Sequence, residues 1–104
     1  MLCIRRGTEN SFIGVYVKRD IGRRIGKIIG IITEKTRGDK CILVQFDKDF
    51  KGHNGETAWT QYKELKHVGT LKSDTYNCWY CKKEELILLD KRGILKEKLL
   101  QEVM

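Results

Sequence analysis

Residues 25–49, IGKIIGIITEKTRGDKCILVQFDKD, restrict this chain more than any other stretch. Two runs rich in Ile and Val flank the polar residues Thr36, Arg37, Gly38 and Asp39. Branched side chains pack well on a pleated surface, and Gly38 can take the positive φ that a tight hairpin requires. The spacing predicts an antiparallel hairpin, with strands over 25–35 and 40–47. Alternation along the second strand sends Ile42, Val44 and Phe46 into a core, and Cys41, Leu43 and Gln45 to the other face. A hairpin of this kind is expected to nucleate a small β-barrel, an architecture suited to binding more than to catalysis.

The remaining segments supply further strands. Residues 11–19 (SFIGVYVKR) alternate Ile13, Val15 and Val17 with Gly14, Tyr16 and Lys18, the pattern of a half-buried strand. Residues 20–24 form a basic loop. Residues 77–82 return as a short strand, Glu84 and Glu85 turn, and residues 86–89 close the set. From residue 90 the period changes. Ile94, Leu95, Leu99, Leu100 and Val103 recur at helical spacing, which predicts an amphipathic helix of about three turns. Its apolar stripe is expected either to cover the barrel or to form a homodimer contact through residues 94–103.

This gives a lead-in over 1–10, a mainly β barrel of about five strands over 11–89, and a C-terminal α-helix over 90–104. Residues 48–77 stand out as an insertion in the barrel. They are longer than a compact domain usually leaves structureless, so they are expected to fold against something or bind something. A helical turn is expected over 59–65.

Composition bounds the functional classes. The chain has 104 residues, enough for one domain, and its 40% hydrophobic and 34% charged content marks a globular chain rather than a disordered one. No run approaches the roughly 18 apolar residues of a membrane span, and MLCIRRGTEN lacks the apolar core of a secretory signal. A cytoplasmic protein with no membrane partner is expected. The net charge of +7 is uneven: residues 1–40 hold ten Lys or Arg against four Asp or Glu, whereas residues 41–104 are nearly balanced. A polarised basic surface attracts phosphates or an acidic protein face. The candidate contacts are Lys18, Arg19, Arg23, Arg24 and Lys27. No base-reading helix is evident, so any DNA or RNA contact through them would be directed at the backbone.

Other residues carry weaker signals. Cys78-Trp79-Tyr80-Cys81 has the spacing of half a zinc site, and Cys3, Cys41, His53 and His67 are the remaining donors. They make no second close pair, and on an extended strand Cys78 and Cys81 would point to opposite faces. No cofactor is therefore expected, and a zinc-stabilised interaction module is kept as an alternative. His53, in Gly52-His53-Asn54-Gly55, has no nucleophile signature beside it. It reads as a loop residue bonded to backbone or to Asp47, or as a ligand contact. Trp59 and Tyr62 are candidates for an exposed stacking or protein-binding surface, with burial in a local core as the alternative. A Gly-rich phosphate loop, paired carboxylates and a nucleophile elbow are all missing, so an enzyme is not expected.

Taken together, Phe46-Asp47, Gly52-His53-Asn54-Gly55, Cys78-Trp79-Tyr80 and Glu85-Leu86-Ile87-Leu88 resemble the F-D, G-H-x-G, C-W-aromatic and E-x-L-x-L motifs of small phage and prophage proteins with an SH3-like barrel. The resemblance covers roughly residues 12–89. Residues 56–77 are longer than the pattern carries, and the C-terminal helix lies outside it. Gly26-Lys27 and Gly30 are also similar to KOW and Tudor-type barrels, which contact RNA, DNA or transcription proteins. The resemblance implies a phage or prophage origin, and with the basic charge and the long polar insertion the expectation is a non-enzymatic accessory protein that binds a host protein or nucleoprotein and modulates host defence or transcription. A barrel that binds nucleic acid directly, contacting phosphates through the basic loop, is the alternative.

Overall fold

The computed structural model describes residues 4–5, 7–33, 39–55 and 66–89. They form a mainly β fold of six antiparallel strands: β1 (Tyr16–Arg19), β2 (Ile25–Thr33), β3 (Lys40–Gln45), β4 (Lys66–Gly69), β5 (Cys78–Lys82) and β6 (Leu86–Leu88). The strands follow the order β5-β3-β2-β1-β6, and β4 pairs with β2 off this path. Short 3-10 turns lie at Glu9–Phe12 and Lys83–Glu85.

β2 organises the sheet. One edge pairs with β3 from Lys27 to Thr33. The other edge is divided: Ile25 to Lys27 pair with β1, and Gly30 to Thr33 pair with β4. The register with β3 shifts between Ile28 and Gly30, a bulge that bends β2 where its second partner changes. At this bend Gly30 lies opposite Gly69. A methyl group on Gly30 would sit 1.9 Å from the Thr70 carbonyl oxygen. Gly69 has φ +73°, and a methyl group there would sit 2.3 Å from the Ile29 carbonyl oxygen. The close crossing of β2 and β4 thus requires glycine on both chains.

Directly opposed residues share a face of a sheet. Ile28 and Val44, and Ile31, Ile42 and Cys81, therefore line one face with Val17 and Leu86, and they pack with Ile4 and Phe46 as the main core. Ile42, Val44 and Phe46 are buried there, as the alternation predicts. The opposite face is not simply solvated. Leu43 is fully buried, because the backbone of Gly55 and Leu71 lies over it and the Tyr80 hydroxyl donates to both carbonyl oxygens at 3.2 and 3.4 Å. The parts of the expected insertion that lie among the described residues, 48–55 and 66–77, thus supply β4 and a cover for the outer face.

Several expectations change. There are six strands rather than about five, because β4 arises inside the stretch read as irregular. The first strand begins at Tyr16, not at residue 11. Local bonds capture the earlier residues: Ser11 and Ile13 N–H donate to the Thr8 and Asn10 carbonyls, and the Ser11 hydroxyl also donates to Thr8. Such short-range bonds compete with a sheet ladder. The hairpin turn at 36–38, the helical turn over 59–65 and the C-terminal helix over 90–104 lie outside the described residues.

Lys40 is a buried lysine that the strand pattern does not foretell. Its ammonium donates to Glu9 Oε1 at 2.7 Å and to Thr33 Oγ1 at 2.9 Å, while Gly7 N–H donates to Glu9 Oε2 at 2.8 Å. This pair fastens the N-terminal turn to the far end of the β2–β3 hairpin. The Lys40 hydrogen bond is the main reason that the Glu9 carboxyl is held below its ordinary value of 4.5. A lowered carboxylate stabilises the fold above its unfolded value, and that stability is lost as pH falls through the folded value.

Two outcomes follow from this geometry. Gly30→Ala should cost about 3 kcal/mol in chemical denaturation, whereas Gly22→Ala, whose methyl group meets nothing closer than 3.5 Å, should stay within about 0.5 kcal/mol. Lys40→Met should cost on the order of 2 kcal/mol near neutral pH and flatten the loss of stability seen below about pH 4.5.

Candidate functional site

The chain leaving β3 makes a tight turn that the side chain of Asp47 holds in place. Asp49 N–H donates to Asp47 Oδ1 at 3.2 Å, and Phe50 N–H donates to the Asp47 carbonyl at 3.0 Å. Arg24, from the loop between β1 and β2, donates Nη1–H to the same carboxylate oxygen. Its guanidinium also stands over the Phe50 ring, 5.5 Å from the centroid. Phe50 packs against Phe46 at 4.6 Å between centroids and meets Trp79 edge-on at 6.3 Å. Arg24, Asp47 and Phe50 therefore join the β1–β2 loop to the segment after β3.

This segment then runs beside the approach to β5. Gly52 N–H donates to the Tyr76 carbonyl at 2.8 Å, and His53 and Cys78 exchange two backbone hydrogen bonds at 2.9 Å each. Asn77 fixes the other side, donating its side-chain amide to the Phe46 carbonyl at 2.7 Å. Between the two segments lies a groove of about 410 Å³. Lys48, Phe50, Lys51 and Gly52 line it from one segment, and Thr75, Tyr76 and Asn77 from the other. Tyr76 is 69% exposed and neighbouring Trp79 is 42% exposed. Both charged groups that line the groove are lysines. Asp47 is neutralised by Arg24, and Asp49 and Asp74 are exposed nearby without lining it.

His53 is built into the wall of this region. Its Nδ1 accepts the Gly55 N–H at 2.9 Å, so the bond goes to backbone and not to Asp47. The ring stacks on Tyr80 at 5.6 Å and leans on Trp79 at 5.2 Å. An accepting Nδ1 requires the neutral imidazole. Burial lowers the His53 pKa in the same sense.

The basic residues singled out from the sequence divide: Lys18, Arg23 and Lys27 stay together at the β1–β2 hairpin, whereas Arg19 and Arg24 are drawn elsewhere. Lys18 and Lys27 fall on the outer face of the β1–β2 pair, in the rows of Ile25 and Tyr16. The Lys18 ammonium donates to the Gly22 carbonyl at 3.4 Å. Arg19 is opposite buried Leu86 on the inner face, and its Nε is buried without a hydrogen-bond partner among the described residues. Arg23 is exposed on the loop. Arg24 alone reaches the groove region. Trp59 and Tyr62 lie outside the described residues.

The cysteines do not converge either. Cys78 and Cys81 lie in different rows of one strand, opposite Gln45 and Ile42, and so point to opposite faces. One metal cannot take both. Cys41, Cys78 and Cys81 are free thiols, and burial pushes Cys41 up to about 11 and Cys81 up to about 12. Among the described residues, no three His, Cys, Asp or Glu side chains gather as metal ligands.

Sequence reasoning passed over Lys48, Phe50, Lys51 and Tyr76. The signal available was the interleaving of Lys and aromatic residues at 48–51, close to the F-D and G-H-x-G motifs. Comparison of the chain with known protein families, curated proteins and solved structures found no match.

The His53 geometry fixes a pH response. The folded state favours the neutral ring, so the unfolded state binds more protons below its value of about 6.5. Stability should therefore fall as pH drops from 6.5 through the lowered folded value. An NMR titration should find the His53 ring signals moving below pH 6.5, with the Gly55 amide shifting in the same window.

Proposed function

We propose that this chain is a non-enzymatic binding module for a polyanionic partner, with the groove between 48–52 and 75–77 as its contact surface. The observation that carries this reading is the coincidence, in that one groove, of two lysines, Phe50 and an exposed tyrosine. An overall charge of +7 adds long-range attraction. His53 Nδ1 holds Gly55, Asp47 holds Arg24, and the thiols of Cys41, Cys78 and Cys81 are pushed away from the reactive thiolate form.

The sheet itself we read as an SH3-like small barrel. Support comes from β2, which bends at its bulge and gives one edge to β1 and then to β4, the way a short meander curls on itself. The motif resemblance adds the setting: a phage or prophage accessory protein acting on a host nucleoprotein. A protein contact has its own favouring observation. Ile21 is 91% exposed and Ile25 45% exposed at the β1–β2 hairpin, with Lys18, Arg23 and Lys27 around them, a surface suited to an acidic protein face.

A labelled heparin fragment tests the groove. The wild-type chain should bind it at low salt and release it as ionic strength rises. Lys48→Glu with Lys51→Glu should weaken binding about tenfold or more, while Arg23→Glu with Lys27→Glu should change it less than about threefold. The reverse ranking would move the contact surface to the β1–β2 loop.

A further inference from the structure

We infer that the groove takes a single-stranded nucleic acid, stacking an unpaired base on Tyr76 while Lys48 and Lys51 meet its phosphates; this rests on the polyanion reading above and names its ligand class. A polyanion without flat groups would need only the lysines. The exposed ring adds a second chemistry. Tyr76 keeps most of its surface in solvent, although it lines a groove, whereas Trp79 outside the groove packs its ring on His53 and Phe50. Exposed aromatic faces beside cations are what a base stack uses, because every base offers a π-face and every nucleotide a phosphate. A duplex hides those base faces and is disfavoured by the same argument.

The polar groups of the groove sharpen the inference. The Asn77 amide is engaged by the Phe46 carbonyl. The Thr75 hydroxyl accepts from Gln45 Nε2 at 3.0 Å and lies 2.9 Å from the Ser73 hydroxyl. Lining donors and acceptors that reach a base edge would confer sequence preference, and two of them, an Asn77 amide N–H and the Thr75 hydroxyl, are already drawn into bonds with the fold. Stacking and phosphate charge are the main contacts left to the ligand. Binding should therefore tolerate any base sequence. A groove of about 410 Å³ falls in the range of about 300–1,000 Å³ typical of small-ligand clefts. Both lysines stand on the 48–52 wall, opposite Tyr76.

Fluorescence anisotropy provides the test, with labelled oligothymidine and oligouridine of about 12 nucleotides. An abasic strand of equal phosphate count and a hairpin duplex are the comparators, between about 50 and 200 mM salt. Oligothymidine or oligouridine should bind about tenfold or more tighter than the abasic strand and the duplex, and comparison of oligodeoxyuridine with oligouridine, which differ only in the sugar, identifies the source as DNA or RNA. Tyr76→Ala should abolish that margin and Tyr76→Phe should keep it. Tyr76 is exposed enough for both variants to fold. Lys48→Gln with Lys51→Gln should lower the log–log salt slope by about 0.7 per lysine. Binding of the heparin fragment together with equal affinity for oligothymidine and the abasic strand overturns the stacking inference and leaves the polyanion reading standing. Failure of every probe, heparin included, overturns both. A margin that survives Tyr76→Ala, or a duplex that binds as well as the single strand, removes the nucleic acid from this groove.

Discussion

The whole arrangement depends on the close approach of two backbones at Gly30 and Gly69. β2 can serve three partners only because it bends at its bulge and lets β4 cross it without side chains between them. That crossing brings Thr70 and Leu71 onto the sheet, where Thr70 N–H donates to the Ile29 carbonyl at 2.8 Å. Leu71 and Gly55 then seal Leu43, and the same loop delivers Ser73 N–H to the Asn54 carbonyl at 2.8 Å. The groove is a further product of this chain of contacts. Its two walls are residues 48–52, which lead from β3 to Gly55, and residues 75–77, which lead from Leu71 to β5.

Much of the fold is legible in the sequence, for local reasons. β2, β3, β5 and β6 are runs whose alternation or β-branched content is strong enough to show through. β4 is different. Lys66-His67-Val68-Gly69 has one apolar residue, and its strand form comes from pairing with β2 more than thirty residues earlier. Leu43 looks solvent-facing by alternation because its cover comes from residues 55 and 71, which no local pattern connects to it. Lys40 reads as a strand-end charge until Glu9 is seen beside it.

The site was less legible than the fold. Charge counting finds the basic first forty residues but ignores which charges are already spent. Arg24 is held by Asp47, and Arg19 turns toward the interior opposite Leu86. The C-x-x-C spacing draws attention to the cysteines, whereas the strand geometry separates them and leaves Trp79 at the rim. The groove lysines sit in a segment of nearly balanced charge, so composition gives them no prominence. Their role depends on Asp47 being neutralised from a loop more than twenty residues away.

The backbone pair between His53 and Cys78 has one more consequence. β5 runs along the end of the strand order, where open N–H and C=O groups invite another chain to add itself. His53 occupies that outer edge at the first residue of β5. The Gly52-His53-Asn54-Gly55 loop is thus an edge guard as well as a groove wall. Beside strands dense in Ile and Val, it closes the start of the β5 edge to an added strand.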